Sequence, residues 1–124
     1  MYKMLNMNPE GRRTTDCVIR AIATVLGTDW DTIYDEISAE GKKRHDMMDA
    51  NHVWIRWLER NGFRLHTIPA ICPGCYTVRD FCHDHPRGTF VLGTGDHAIA
   101  VIDGDWYDAF DSGDYAPIFY LRRL

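Results

Sequence analysis

Apolar positions in the first half of the chain recur with a helical period, and those in the second half alternate or run together as strands do. Between residues 17 and 26, Val18, Ile19, Ala21, Ile22, Ala23, Val25 and Leu26 leave little polar face. Such a helix must be buried on most sides. Asp16 stands where it can cap the start, and Gly27 where the chain can turn left-handed after the end. A second helix opens at the capping box Thr28-Asp29-Trp30-Asp31, carries Trp30, Ile33, Tyr34 and Ile37 along one side, and is predicted to close at Gly41. A third is predicted over 49–61, with Val53, Trp54, Trp57 and Leu58 inward and Gly62 as its stop.

Residues 63–68 then read as a strand that ends before Pro69. A fourth helix opens with Thr77-Val78-Arg79-Asp80 and stops at Pro86, whose ring cannot continue a helix. Beyond it, residues 89–92 and 97–102 read as strands, and Asp103-Gly104 is a strong hairpin signal. The return strand is predicted over 106–110, and 117–121 as an edge strand. Helices first and an antiparallel sheet second make an α+β arrangement, and 124 residues suffice for one domain over 1–124.

Composition narrows the function classes. With 45% apolar and 26% charged residues the chain is globular rather than disordered. Its net charge is -4, and no Lys/Arg stripe interleaves with aromatics, so nucleic acid is not expected as a partner. The cluster Lys42-Lys43-Arg44-His45 reads as a solvated linker between two helices. No apolar run has the length of a signal peptide or a membrane span, so the expected location is cytoplasmic, without a membrane partner. In a reducing compartment the cysteines are judged one by one as catalysts, metal ligands or core residues.

Cys17 at the first turn of a helix meets unsatisfied N–H groups and the positive end of the helix dipole, both of which favour thiolate. A buried core thiol is the competing reading, and the segment around His97 decides between them. If Asp103-Gly104 forms a two-residue turn, residues whose numbers add to 207 face each other. Asp108 then lies opposite Ile99 and diagonal to His97, where its carboxylate can orient the imidazole toward a thiol. A three-residue turn would instead set Asp111 opposite His97; Asp108 is preferred. Asp103 and Asp105 read as turn formers, and Asp96 faces away.

These segments resemble a known family. Asp16-Cys17-Val18-Ile19-Arg20-Ala21 and His97-Ala98-Ile99-Ala100-Val101 are similar to the cysteine helix and histidine strand of the papain-like cysteine peptidase superfamily, including short members encoded by phages and bacteria. Asp108-Ala109-Phe110 resembles that family's Asn-Ser-Trp element, which would make Phe110 a shield over the carboxylate–histidine hydrogen bond. The resemblance implies a papain-like fold and cleavage of a peptide, isopeptide or related amide bond in a peptide or protein substrate. Cys17, His97 and Asp108 would be the catalytic residues, with an acyl-enzyme intermediate and neither cofactor nor metal. The same residues suit an acyltransferase or transglutaminase, and peptidoglycan is a further possible substrate. A non-enzymatic adaptor or inhibitor on the same fold is the alternative from another class.

The chain also departs from the family. Where the family supplies an oxyanion-hole glutamine ahead of the cysteine, this chain has Gly11, and it contains no glutamine. The backbone N–H of Cys17 can serve as one donor, with Asn6, Asn8, Thr14 and Thr15 as candidates for another. Cys72-Pro73-Gly74-Cys75 forms half of a zinc-type motif. Cys82 and His83 are adjacent on a predicted helix and point apart, so no metal is assigned to Cys72, Cys75 and Cys82. His45, His52 and His66 have no second ligand at usable spacing and are read as exposed or singly hydrogen-bonded.

Overall fold

A computed structural model describes residues 1–69 and 76–124. In chain order the elements are β1 (Tyr2–Met4), α1 (Cys17–Leu26), α2 (Trp30–Arg44), α3 (Asn51–Arg60), β2 (Phe63–Thr67), α4 (Val78–Asp84), β3 (Thr89–Gly93), β4 (Ala98–Ile102), β5 (Asp105–Asp108) and β6 (Phe119–Arg123). Among the described residues this is a mixed α+β architecture of four helices and one six-stranded sheet, ordered β1-β5-β4-β3-β6-β2.

Strand alternation divides the apolar residues between two faces. Ala98 and Ala100 of β4, with Val91, Phe119 and Leu121, join the core built by α1, α2 and α3. Ile99 and Val101 point the other way, into a cluster with Phe90, Leu92, Trp106 and the α4 residues Val78, Phe81 and Cys82. β4 is therefore covered on both sides, which explains its uninterrupted apolar run. α1 packs directly on β4, and the two alanines leave room for it. Ile22, at the centre of α1, is completely buried. Its truncation to Ala would cost about 2–5 kcal/mol.

Local signals account for several boundaries. Asp29 caps α2 by accepting from Thr32 N–H at 2.7 Å, and Thr77 and Asp80 form a reciprocal capping box on α4. Gly27 takes the left-handed conformation after α1 and closes it through bonds to Ala23 and Thr24.

Other expectations need correction. The sheet is mixed, because β1 pairs parallel with β5, with Tyr2 opposite Trp106 and Met4 opposite Asp108. β6 is an interior strand between β3 and β2; it begins at Phe119, past Pro117, so the proline imposes no edge. α2 does not close at Gly41 but continues to Arg44. A Cβ at Gly41 would lie 2.8 Å from the Asp46 carbonyl oxygen, so glycine serves there the close return of the chain. Lys42, Lys43 and Arg44 accordingly form the last turn of α2 rather than a linker, where cations complement the negative helix end.

The half-site at Cys72 and Cys75 lies outside the described residues. Among the described residues, no group of three or more His, Cys, Asp or Glu side chains is arranged to hold a metal ion. No helix among them is long and apolar enough to cross a membrane.

Candidate functional site

β4 starts at Ala98 and its antiparallel neighbour β5 ends at Asp108, so His97 and Asp108 emerge at the same end of the sheet. The turn at Asp103-Gly104 has two residues, with φ of 50° and 81°, and pairs Ala100 with Tyr107 and Val101 with Trp106. That register carries Asp108 diagonally toward His97, and the Asp108 carboxylate oxygen Oδ2 lies 2.7 Å from His97 Nε2. Asp111 is engaged elsewhere, accepting from Trp106 Nε1 and the Gly113 N–H, both at 2.9 Å.

Cys17 arrives at this end of the sheet by a different route. β1 ends at Met4, opposite Asp108, and Leu5 N–H donates to the Asp108 carbonyl at 3.0 Å. The chain then loops through residues 6–16 into the first turn of α1, with Cys17 half-buried. Burial disfavours the thiolate there. The neighbouring His97 imidazole and Ala98 backbone, with the charges of His97 and Arg20, outweigh it and lower the thiol pKa. His97 shows the complement. Burial disfavours its imidazolium, yet the hydrogen bond with Asp108, the neighbouring Cys17 and the charges of both raise its pKa to about 9. Both shifts favour thiolate facing imidazolium. With Nε2 committed to Asp108, the nitrogen left to face Cys17 is Nδ1.

The Asp108 carboxylate is held on every side. Oδ2 also accepts from Ser112 Oγ at 2.8 Å, while Oδ1 accepts from Arg20 Nη1 and the Ala109 N–H at 2.8 Å each. Burial alone would raise its pKa; the hydrogen bonds from His97, Arg20 and Ser112 lower it instead. Two aromatic rings flank the imidazole. Phe110 lies 5.2 Å from it centroid to centroid, and Tyr115 meets it edge-on at 5.4 Å. The loop that carries them is pinned by α4, whose first N–H groups, those of Val78 and Arg79, donate to the carbonyls of Tyr115 and Gly113.

Asp16 occupies the N-cap position of α1, but its carboxylate accepts none of the first-turn N–H groups. It is drawn aside to Arg20 Nε at 2.7 Å, Asn8 Nδ2 at 3.1 Å and Trp30 Nε1 at 3.0 Å. The capping expectation fails because a cation one turn along the same helix competes for the carboxylate. Asn8 is consequently not a free donor: its amide N–H goes to Asp16, and its carbonyl accepts from the N–H groups of Glu10 and Arg12. Asn6 is likewise tied into this loop, accepting from Asn8 N–H at 3.0 Å. Thr14 and Thr15 are exposed beside the helix start.

Sequence reasoning missed Arg20, Ser112 and Tyr115. A signal existed for Arg20: a cation four residues after Asp16, the one charged residue on a largely apolar helix, is placed to pair with that carboxylate. Ser112 and Tyr115 come from an irregular loop with no periodicity to read. The chain matches no protein-family model, no curated protein and no solved structure.

Proposed function

We propose that this protein is a cysteine-dependent hydrolase of peptide, isopeptide or related amide bonds, acting through Cys17, His97 and Asp108 on a papain-like plan. The observation that carries this reading is the linked trio at a helix start: a thiol with a lowered pKa, an imidazole raised to about 9, and a carboxylate 2.7 Å from that imidazole. A buried structural cysteine has no need of such partners. Cys82 supplies the contrast within the same chain, since burial pushes its thiol up to about 11.

In the proposed reaction the Cys17 thiolate adds to the substrate carbonyl carbon, and the carbonyl electrons move to oxygen. The uncapped N–H groups at the start of α1, that of Cys17 first among them, are available to the resulting oxyanion. His97 Nδ1–H then gives its proton to the amide nitrogen, the C–N bond breaks, and the amine leaves a thioester on Cys17. Water adds to the thioester with His97 as base, releasing the carboxylic acid and restoring the thiolate–imidazolium pair. Asp108 holds the ring orientation and balances its charge throughout.

Alkylation tests the reading without a known substrate. Iodoacetamide at neutral pH is expected to modify Cys17 far faster than Cys82, Cys72 or Cys75, as followed by peptide mass spectrometry. His97→Ala should remove most of that advantage. Indistinguishable rates at all four thiols would overturn the proposal. Thioester formation on Cys17 with an activated peptide ester, lost in Cys17→Ala, would extend it from reactivity to acyl transfer.

A further inference from the structure

Arg20 projects from α1 one turn after Cys17, and its side chain is only 9% exposed. A guanidinium in a largely apolar helix is costly to bury unless its donors are satisfied. Here the fork grips two carboxylates from distant parts of the chain: Nε bonds Asp16 Oδ1 at 2.7 Å and Nη1 bonds Asp108 Oδ1 at 2.8 Å. Asp16 immediately precedes the thiol, and Asp108 holds the imidazole. The planar geometry of arginine suits this two-point contact, which a lysine ammonium cannot reproduce.

We propose that Arg20 is a positioning residue of the reaction centre, tying the start of the cysteine helix to the carboxylate that orients His97; this rests on the hydrolase reading given above. Two consequences follow from the geometry. By occupying Oδ1 with Ala109 N–H, Arg20 leaves Oδ2 as the oxygen turned toward His97. The second consequence is electrostatic. The charged network at the thiol's end of the sheet comprises Asp16 just before α1, Arg20 on α1, His97 before β4 and Asp108 at the end of β5. Without Arg20, a thiolate would form beside two carboxylates offset only by one imidazolium, and the protonated thiol would gain. The charge of Arg20 already acts in that sense on Cys17.

The test is the pH dependence of Cys17 alkylation by iodoacetamide in wild type, Arg20→Met and Arg20→Lys, each checked for folding by circular dichroism. In Arg20→Met the acid limb of the profile is expected to move up by about one pH unit, with a roughly tenfold slower reaction below it. Arg20→Lys, which keeps the charge but not the fork, is expected to stay within about 0.3 unit of wild type on that limb, while the advantage of Cys17 over Cys82 narrows through looser alignment. A purely structural role would change thermal stability without moving the limb.

A folded Arg20→Met with the wild-type limb overturns the proposal. If Arg20→Met does not fold, Arg20→Lys decides: an undiminished advantage of Cys17 over Cys82, despite the lost fork, overturns it. Failure of the hydrolase reading looks different. In that case wild-type Cys17 itself shows no advantage over the other thiols, whatever stands at position 20.

Discussion

The carboxylate of Asp108 meets His97 Nε2 at 2.7 Å with one oxygen while the other is occupied by Arg20 and a backbone N–H. Its orientation is thus set before the imidazole takes a proton, so little reorganisation is needed when charge moves onto the ring. Asp108→Asn preserves shape and removes charge. His97 should fall from about 9 toward its ordinary value, and Cys17 would then face a neutral ring at pH 7. We expect Cys17 alkylation at neutral pH to slow at least about tenfold, and amide turnover to drop on the order of 10²-fold. Mass-spectrometric alkylation rates on a folded Asp108→Asn check this, and a wild-type rate would remove Asp108 from the reaction centre.

The same shifts dictate a pH profile. In the proposed hydrolysis, turnover requires the thiolate and the imidazolium together, so it should rise with loss of the Cys17 proton, at a pH below the ordinary thiol value, and fall as His97 loses its proton near 9. Alkylation requires only the thiolate, so it should follow the rising limb and stay high above pH 9. Measuring both from pH 4 to 10 separates the roles, and a shared fall near 9 would contradict them. The linked stability has a definite sign. A His97 value raised in the folded state stabilises the fold fully below about 6.5 and ceases to do so as pH rises through 9. Asp16 and Asp108, both lowered, contribute above the ordinary carboxylate range and lose that contribution as pH falls through their depressed values.

How far the site could be read in advance depended on whether its determinants were local. His97 and Asp108 are joined by a two-residue turn, so their approach follows from counting along two strands, and the observed pairing of Val101 with Trp106 has that register. The position of Cys17 follows from an apolar run closed by Gly27, which is also local, although the Asp16 cap expected at its start does not form. Arg20 was hidden because its second partner lies 88 residues away. β1 was missed because three residues, Tyr2-Lys3-Met4, carry too little pattern, and a parallel pairing with β5 leaves no turn signal between them. The interior place of β6 and the continuation of α2 through Gly41 are tertiary outcomes. Pro117 and Gly41 read as punctuation only if the close approach of other parts of the chain is ignored.

The turn that sets the register is itself a testable element. Gly104 has φ of 81°, and a Cβ there would lie 3.4 Å from the Cys82 carbonyl oxygen and from Pro86 Cα. Gly104→Ala should therefore cost about 1–2 kcal/mol, lowering Tm by roughly 5 °C. The pairs between β4 and β5 that carry Asp108 to His97 remain available, so Cys17 alkylation in the folded variant should keep its pH profile. Thermal melts and alkylation on the same sample check both statements; an undiminished Tm would show that the turn tolerates a side chain.

Away from the site, Glu40 near the end of α2 is buried against two guanidinium groups, Arg60 at the end of α3 and Arg44 one turn on. Hydrogen bonds from Arg60 lead in holding its carboxyl down, against the opposing effect of burial, and with Arg44 they bring its pKa to about 2. A depressed carboxylate contributes stability above its ordinary value near 4.5, and that contribution fades as pH falls toward 2. Glu40→Gln removes the charge but keeps the volume. Breaking a wholly buried pair costs about 3–5 kcal/mol because the partner charge is stranded. Here Arg60 and Arg44 are 48% and 29% exposed and stay hydrated, so a smaller cost of about 1–2 kcal/mol is expected. Urea denaturation at pH 7 should show the Glu40→Gln variant weaker by that amount, and the gap should narrow steadily below pH 4.5 as the wild type loses its own contribution. A gap that stays constant down to pH 3 would mean that Glu40 stabilises the α2–α3 contact by packing rather than by charge.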